Sequence, residues 1–170
     1  MGYDMRWTQR GDGDYFRLNI WGMGRYRDLM EKFGMVFEDD PCPPFPEAED
    51  YGVYWDDVYA LKYPEAYPDH KWTDDRRTAA KKALEDTEAV LRFHGRTDTP
   101  GIPLHKFSSN DGWHVLPAEC EAAVRAWQAA AATDHGALEA VTESSGDADY
   151  WLKWIGYLSA AARHGGFEVN

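Results

Sequence analysis

Two histidines and one aspartate lie close together in the segment HKFSSNDGWHVLPAEC, residues 105–120. If the chain between His105 and His114 forms a hairpin, the two imidazoles face each other with Asp111 nearby. Three such groups make an open metal site that activates water, so one hypothesis is a small metal-dependent hydrolase. We favour a turn with two incidental histidines, because zinc sites usually combine Cys and His at short spacing. Cys42 and Cys120 have no such partner nearby.

The same segment is also explained by turn and helix-start chemistry. Asn, Asp and Gly at residues 110–112 tolerate the positive φ angles of a turn. Trp113 and Val115 then alternate inward as a short strand, and Pro117 suits the first position of a helix. Glu119 follows at the third helical position, where a carboxylate complements the positive end of the helix dipole. A turn, a strand and a helix are therefore predicted here.

A second group of side chains, on the predicted strand YFRLNIW, has the character of a binding surface. Residues 15, 17, 19 and 21 share the outer side of that strand by its period of two. A polar pair framed by aromatic rings suits a planar ligand or a peptide. The alternative is that helices cover this face and that Asn19 is a buried, hydrogen-bonded group. With the turn described above, the predicted binding surface consists of Tyr15, Arg17, Asn19, Trp21, Asn110, Asp111 and Trp113.

Motifs of common enzyme classes are missing from the sequence. It has no HExxH, GxSxG, P-loop or GxGxxG. The pair Asp56-Asp57 has carboxylates that suit a metal, but charge at a helix start is the simpler interpretation. His94 is predicted to complement the dipole at the C-terminal end of a helix. We predict no cofactor and no metal, and the sequence favours a binding protein over an enzyme.

Charge and hydropathy limit the partners. The chain of 170 residues has a net charge of −12, which disfavours direct binding to nucleic acid, because phosphate recognition needs a basic surface. No apolar run approaches the length of a membrane span, and no secretory signal is present at the start. We therefore expect a cytoplasmic protein that engages a protein or a small molecule. The oligomeric state is left open.

Periodicity predicts one α+β domain over residues 1–170. An N-terminal antiparallel hairpin (GYDMRW and YFRLNIW) and a short C-terminal strand (FEV) would form a small sheet. About four helices would pack with it, over residues 24–33, from Thr73 to Gly95, from Pro117 to about Ala132 and from Asp147 to Gly165. Residues 38–72, rich in proline and aromatic residues, are expected to be ordered but irregular, with one helical turn near residues 56–61.

Several stretches resemble a group of small proteins from actinobacteria and their phages. The similar stretches are the opening MGYDM, YFRLNIWGM at residues 15–23, KFSSNDGW followed by Glu-Cys within residues 106–120, and GGFEV at residues 165–169. The resemblance implies no catalytic residues, because it brings no activity with it. It implies a bacterial cytoplasm and a phage or mobile-element gene.

The sequence thus leads to three hypotheses on function. The first is a non-enzymatic acidic binding protein of actinobacterial or phage origin, with an accessory or host-defence-modulating role. The second is the metal-dependent hydrolase that uses His105, Asp111 and His114. The third is a structural component of a virion.

Overall fold

The computed structural model describes residues 2–38 and 42–170. Within these ranges it contains six α-helices, a four-stranded antiparallel sheet and a two-stranded parallel sheet, so the α+β class is confirmed. The strands are β1 Gly2–Trp7, β2 Tyr15–Asn19, β3 Val36–Phe37, β4 Ile102–Pro103, β5 Trp113–Val115 and β6 Phe167–Val169. The helices are α1 Ile20–Lys32, α2 Trp55–Lys62, α3 Asp74–Leu91, α4 Pro117–Thr133, α5 Ala137–Ser145 and α6 Ala148–Ala161.

The larger sheet has the strand order β2-β1-β6-β5, and all neighbouring strands are antiparallel. The predicted N-terminal hairpin and C-terminal strand are confirmed, and β6 lies between β1 and β5. Met5 pairs with Phe16 on one side and with Val169 on the other, and all three side chains are buried. Gly166, just before β6, has a φ of +82°, and a Cβ there would overlap the carbonyl oxygen of Val115. Glycine at this position therefore allows β6 to approach β5.

The junction of β2 and α1 differs from the prediction. The strand ends at Asn19, and the helix begins at Ile20 rather than near residue 24. The Asn19 side chain accepts a hydrogen bond of 2.7 Å from the amide of Gly22, which makes it the N-cap. The prediction that Ile20 and Trp21 continue the strand is therefore wrong. Both lie in the first helical turn, and Trp21 is 82 % exposed.

Other helices and strands also differ from the prediction. The segment ahead of Asp147, for which no helix was predicted, contains α5, which buries only Ala137 and Val141. α2 has eight residues, where one helical turn was expected. Thr73, the predicted start of the second helix, caps α3, because its hydroxyl accepts a hydrogen bond from the amide of Arg76 at 3.3 Å. The parallel pair of β3 and β4 was not predicted, since two-residue strands leave no periodic signal.

The chain forms two compact units. The first consists of His94–Asn170 and the described residues of Met1–Pro41, and its core is built from aromatic rings. Trp151 and Trp154 of α6 are fully buried there, and Trp151 packs edge-on against Trp127 at 5.4 Å between ring centroids. The helix predicted from Asp147 to Gly165 is confirmed by α6, which ends at Ala161.

The second unit spans Cys42–Phe93 and has a small core of its own. Its buried members are Ala48, Val53, Val58, Ala80 and Ala83. The Pro- and aromatic-rich segment is ordered here from residue 42 onward, and residues 39–41 lie outside the described ranges. That residues 1–170 are one domain stays a prediction. Among the described residues, no helix has both the length and the apolar character to cross a membrane.

Candidate functional site

A buried cluster of ionic side chains lies in the first unit, where β5 leads into α4. The Lys106 ammonium donates to both carboxylate oxygens of Glu119, at 2.7 and 2.9 Å, and to the carbonyl of His114 at 2.7 Å. Glu119 also accepts from the amide of Leu116 at 2.7 Å, which caps α4 as its position predicted. Lys106 and Glu119 have no exposed surface. The cluster is therefore an internal connection between the loop, the strand and the helix.

His94 completes this cluster, in a place that the sequence did not predict. α3 ends at Leu91, so the expected role of His94 at the dipole of that helix is wrong. Its Nδ1 lies 2.5 Å from a Glu119 carboxylate oxygen, and its Nε2 lies 2.9 Å from the carbonyl oxygen of Asp98. The ring of His94 therefore bridges the start of α4 and the loop at Asp98.

The Cys120 thiol lies next to this cluster and is fully buried. Burial raises the pKa of this thiol above its ordinary value, and the Glu119 carboxylate raises it further. Lys106 acts in the opposite direction but does not cancel these effects. Thiol reactivity requires the thiolate, so Cys120 is a packing residue and no nucleophile.

The residues of the proposed hydrolase do not converge. His105 lies on a 3-10 turn, with its ring edge-on to Trp113 at 4.9 Å between centroids. His114 faces Glu168 instead, with Nδ1 3.9 Å from a carboxylate oxygen, while Asp111 is exposed. Within residues 2–38 and 42–170 no group of three His, Cys, Asp or Glu side chains is placed to hold a metal ion.

The predicted binding residues on β2 do lie on an exposed face. Tyr15, Arg17 and Asn19 alternate with the buried Phe16 and Leu18. The Tyr15 hydroxyl donates to Asp4, and the Arg6 guanidinium lies 4.5 Å from the centroid of the Tyr15 ring. Arg17 Nε is 3.6 Å from the same Asp4 carboxylate. Asn19 is exposed and serves as a helix cap, so the alternative in which it is buried is wrong.

Two clefts adjoin this face. The first, here called the edge cleft, has a volume of about 440 Å³ and lies between β2 and α6; Tyr15, Arg17, Tyr150 and Lys153 are among its lining residues. The second, the cap cleft, has a volume of about 510 Å³ and lies at the start of α1. Its lining includes Arg17, Trp21, Arg25, Tyr26, Asp147 and Tyr150. The two clefts meet where the Tyr150 hydroxyl donates to the carbonyl of Arg17 at 2.7 Å.

The charge of these clefts differs in sign from that of the chain. Three cations line them, namely Arg17, Arg25 and Lys153, against the single carboxylate of Asp147 among the described lining residues. The whole sequence has 18 Lys and Arg against 30 Asp and Glu. The Debye length is about 8 Å at physiological ionic strength, so a ligand in the clefts responds mainly to nearby charges, which also include Asp4 at 3.6 Å from Arg17 Nε. The clefts are therefore suited to acidic or polar groups beside aromatic rings.

A buried tyrosine belongs to the cap cleft. Tyr26 is 3 % exposed, and its hydroxyl has no hydrogen-bond partner among the described residues. Burial raises the pKa of Tyr26, and Tyr150 and Asp147, which line the same cleft, raise it further. Tyr26 lies within the helix that was predicted over residues 24–33, and nothing in the sequence indicated its role in a cleft.

The predicted turn lies at the same end of the sheet but is only partly exposed. The Asn110 side chain donates to the carbonyl of Gly2 at 3.4 Å, and Gly2 pairs with Asn19 across the hairpin. Asp111 is exposed, whereas Trp113 is 4 % exposed. The placement of Trp113 on the binding surface is therefore wrong, because its position on β5 turns the ring into the core. Its indole nitrogen donates to Ser109 at 2.9 Å.

The second unit has a charged cluster of its own around Asp57, which is fully buried. Its carboxylate accepts from the amide of Tyr54 at 2.9 Å and from Arg76 at 2.6 Å, and it lies 2.9 Å from His70 Nε2. Burial alone would raise the pKa of Asp57, but the contacts with Tyr54, Arg76 and His70 outweigh it and lower the pKa below its usual value. The helix-start interpretation of Asp56-Asp57 is confirmed for Asp57.

Comparison with protein families, with curated proteins and with solved structures finds no match to this chain. The resemblance to small actinobacterial and phage proteins therefore stays a prediction.

Proposed function

We propose that this chain is a non-enzymatic binding protein that holds a segment of a partner protein in the edge and cap clefts. One observation carries the proposal: two adjoining clefts lined by cations and aromatic rings lie on a chain with a strongly negative net charge. The predicted residues Tyr15, Arg17, Asn19 and Trp21 all line one or both of these clefts.

Trp21 supports a protein partner. Its side chain is 82 % exposed, and the neighbouring Ile20 is 47 % exposed. Large exposed apolar residues beside polar ones are typical of interaction surfaces, and Trp and Arg are the side chains that most often dominate binding energy. The surface would bind an extended segment with an apolar residue against Trp21 and acidic residues near the cations.

An actinobacterial or phage origin, a cytoplasmic location and an accessory or host-defence-modulating role belong to the same proposal. They follow from the resemblance of the stretches at residues 15–23, 106–113 and 165–169. The metal-dependent hydrolase is not carried forward, since His105 contacts Trp113, His114 faces Glu168 and Asp111 is exposed. No contact of the described residues favours the virion component.

Selection from a random peptide library displayed on phage tests the proposal. The immobilised full-length protein should enrich peptides that combine acidic and apolar residues. Trp21→Ala and Arg25→Glu should each weaken a selected peptide at least about tenfold, the effect of losing one anchor residue. Arg125→Glu is the matched control, because Arg125 is exposed on α4 and pairs with Glu121 at 3.7 Å. Peptides that bind Trp21→Ala as well as the wild type would refute this surface.

A further inference from the structure

The cap cleft brings together features that select for one kind of chemical group. Asn19 satisfies the amide of Gly22, and the amide of Trp21 has no acceptor within residues 2–38 and 42–170. Amides in the first turn of a helix attract negative charge, both as donors and through the helix dipole. α1 has no acidic residue in that first turn, so the chain does not supply this charge itself.

A second observation points to a ligand independently of the helix terminus. The Tyr26 hydroxyl, on the same cleft, is buried and has no hydrogen-bond partner among the described residues. A buried hydroxyl without an acceptor costs free energy, so such groups in folded proteins usually have a partner. Tyr26 lines the cap cleft, so an acceptor that enters this cleft is in the place to provide one.

The charges of the cleft limit the charge of that acceptor. Arg25 is exposed, lines the cleft and makes no ion pair with a described residue. The Nε of Arg17 lies 3.6 Å from a carboxylate oxygen of Asp4, which partly offsets the positive charge of Arg17. Asp147 adds one negative charge. Its Oδ1 accepts a hydrogen bond of 2.9 Å from the amide of Tyr150 and so caps α6. Arg25 is thus the one cation of this cleft without an ion pair to a described residue, and a single cation favours a ligand with one negative charge over a ligand with two.

We propose that the cap cleft is a carboxylate subsite, in which Arg25, the Trp21 amide and the Tyr26 hydroxyl hold a side-chain or terminal carboxylate of an acidic peptide. The exposed Trp21 ring would pack on the apolar group next to that carboxylate. This inference rests on the proposed function, for which it names the chemistry that the partner must present.

The test is an NMR titration of the ¹⁵N-labelled protein with N-acetyl-L-tryptophan, which has an aromatic ring beside a carboxylate. N-acetyl-L-tryptophanamide is the matched probe without the charge. We expect saturable shifts of the Trp21 and Gly22 amides with the first probe, and at least about tenfold weaker binding of the second. Equal binding of both probes, or no shift at these amides, would overturn the subsite.

Variants and a third probe sharpen the result. Arg25→Gln should weaken the carboxylate about tenfold, and Tyr26→Phe, which removes only a hydroxyl, about fivefold. Arg125→Gln should leave the affinity unchanged. Undiminished binding by Arg25→Gln refutes the role of this cation, and the same result for Tyr26→Phe refutes that of the hydroxyl. Tighter binding of inorganic phosphate than of the carboxylate would overturn the preference for a single charge.

The failure of the subsite can be told apart from that of the proposed function. Carboxylate-dependent shifts without any peptide enrichment would refute the binding of a protein segment and leave the subsite in place. Peptides that depend on Trp21 but bind without a carboxylate would refute the subsite alone.

Discussion

Lys106 and Glu119 form an ion pair that is closed to solvent on all sides, with the ammonium 2.7 and 2.9 Å from the two carboxylate oxygens. The hydrogen bonds of Lys106 to the His114 carbonyl and of Glu119 to the Leu116 amide tie this pair to the end of β5 and the start of α4. Each charge therefore depends on the other for its place in the interior.

Removal of either partner should destabilise the first unit strongly. Lys106→Met and Glu119→Gln should each lower the free energy of unfolding by about 3–5 kcal/mol, because a buried charge or acceptor loses its partner. The double variant should cost less than the sum of the two single changes. Chemical denaturation of all four proteins in a double-mutant cycle measures this coupling. Additive effects would contradict the pairing.

The second unit should lose stability in acid through Asp57. The folded pKa of this carboxyl is lowered, so its stabilising contribution is fully present above the unfolded pKa of about 3.9 and is lost as the pH falls through the lower folded value. Asp57→Asn should destabilise the protein by about 1–3 kcal/mol at neutral pH. The acid limb of a plot of stability against pH should become shallower in this variant. An unchanged limb would show that other groups control acid unfolding.

Gly166 should not tolerate a side chain. Gly166→Ala introduces a Cβ that meets the Val115 carbonyl, at a φ of +82°. We expect a loss of at least about 2 kcal/mol in thermal or chemical unfolding. Gly24→Ala is the control, because a Cβ at this position on α1 meets nothing within 4 Å. That change should stabilise the protein by about 0.5–1 kcal/mol.

The Cys120 thiol should be inert in the folded protein. Burial and the neighbouring Glu119 raise its pKa, so almost no thiolate is present at pH 8. In a Cys42→Ala background, Ellman's reagent should label Cys120 only after unfolding. Rapid labelling of the native protein would mean that α4 opens at this position.

Trp21 and Trp151 should differ sharply in their effect on stability. Trp21→Ala should change the free energy of unfolding by less than about 0.5 kcal/mol, because the side chain is largely in solvent. Trp151→Ala removes a fully buried ring and should cost about 3–5 kcal/mol. Calorimetry of the two variants tests this contrast, which is also the condition for interpreting a loss of binding by Trp21→Ala.

The sequence predicted those elements whose patterns are local. The period of two in β1 and β2 and the apolar stripe of α6 each depend on neighbouring residues, and the structure has all three elements. β2 ends at Asn19, earlier than the sequence pattern predicted, because the alternating pattern treats Asn19 as one more strand residue. Its side chain competes for the backbone as a helix cap, and this local contact decided the boundary.

The candidate site was harder to predict, because it depends on contacts between distant residues. Tyr15, Arg17, Asn19 and Trp21 were identified from one strand, whereas Tyr150 and Asp147 reach the same clefts from α6. The burial of Lys106 could not be predicted from the sequence, since a lysine in a polar segment is ordinarily exposed to solvent. Only the position of Glu119 at the start of α4 hinted at this contact. The sequence allowed both an inward position and a surface position for Trp113, and all three residues of β5 are buried.

The position of β6 has a consequence for synthesis on the ribosome. This strand separates β1 from β5, and it places Val169 opposite Met5. At typical translation rates, on the order of ten to thirty seconds pass between the synthesis of β1 and that of β6. During that interval the hairpin has an open edge, which other nascent chains can pair with. Chaperone protection of this edge, or slow expression, should therefore improve the yield of folded protein.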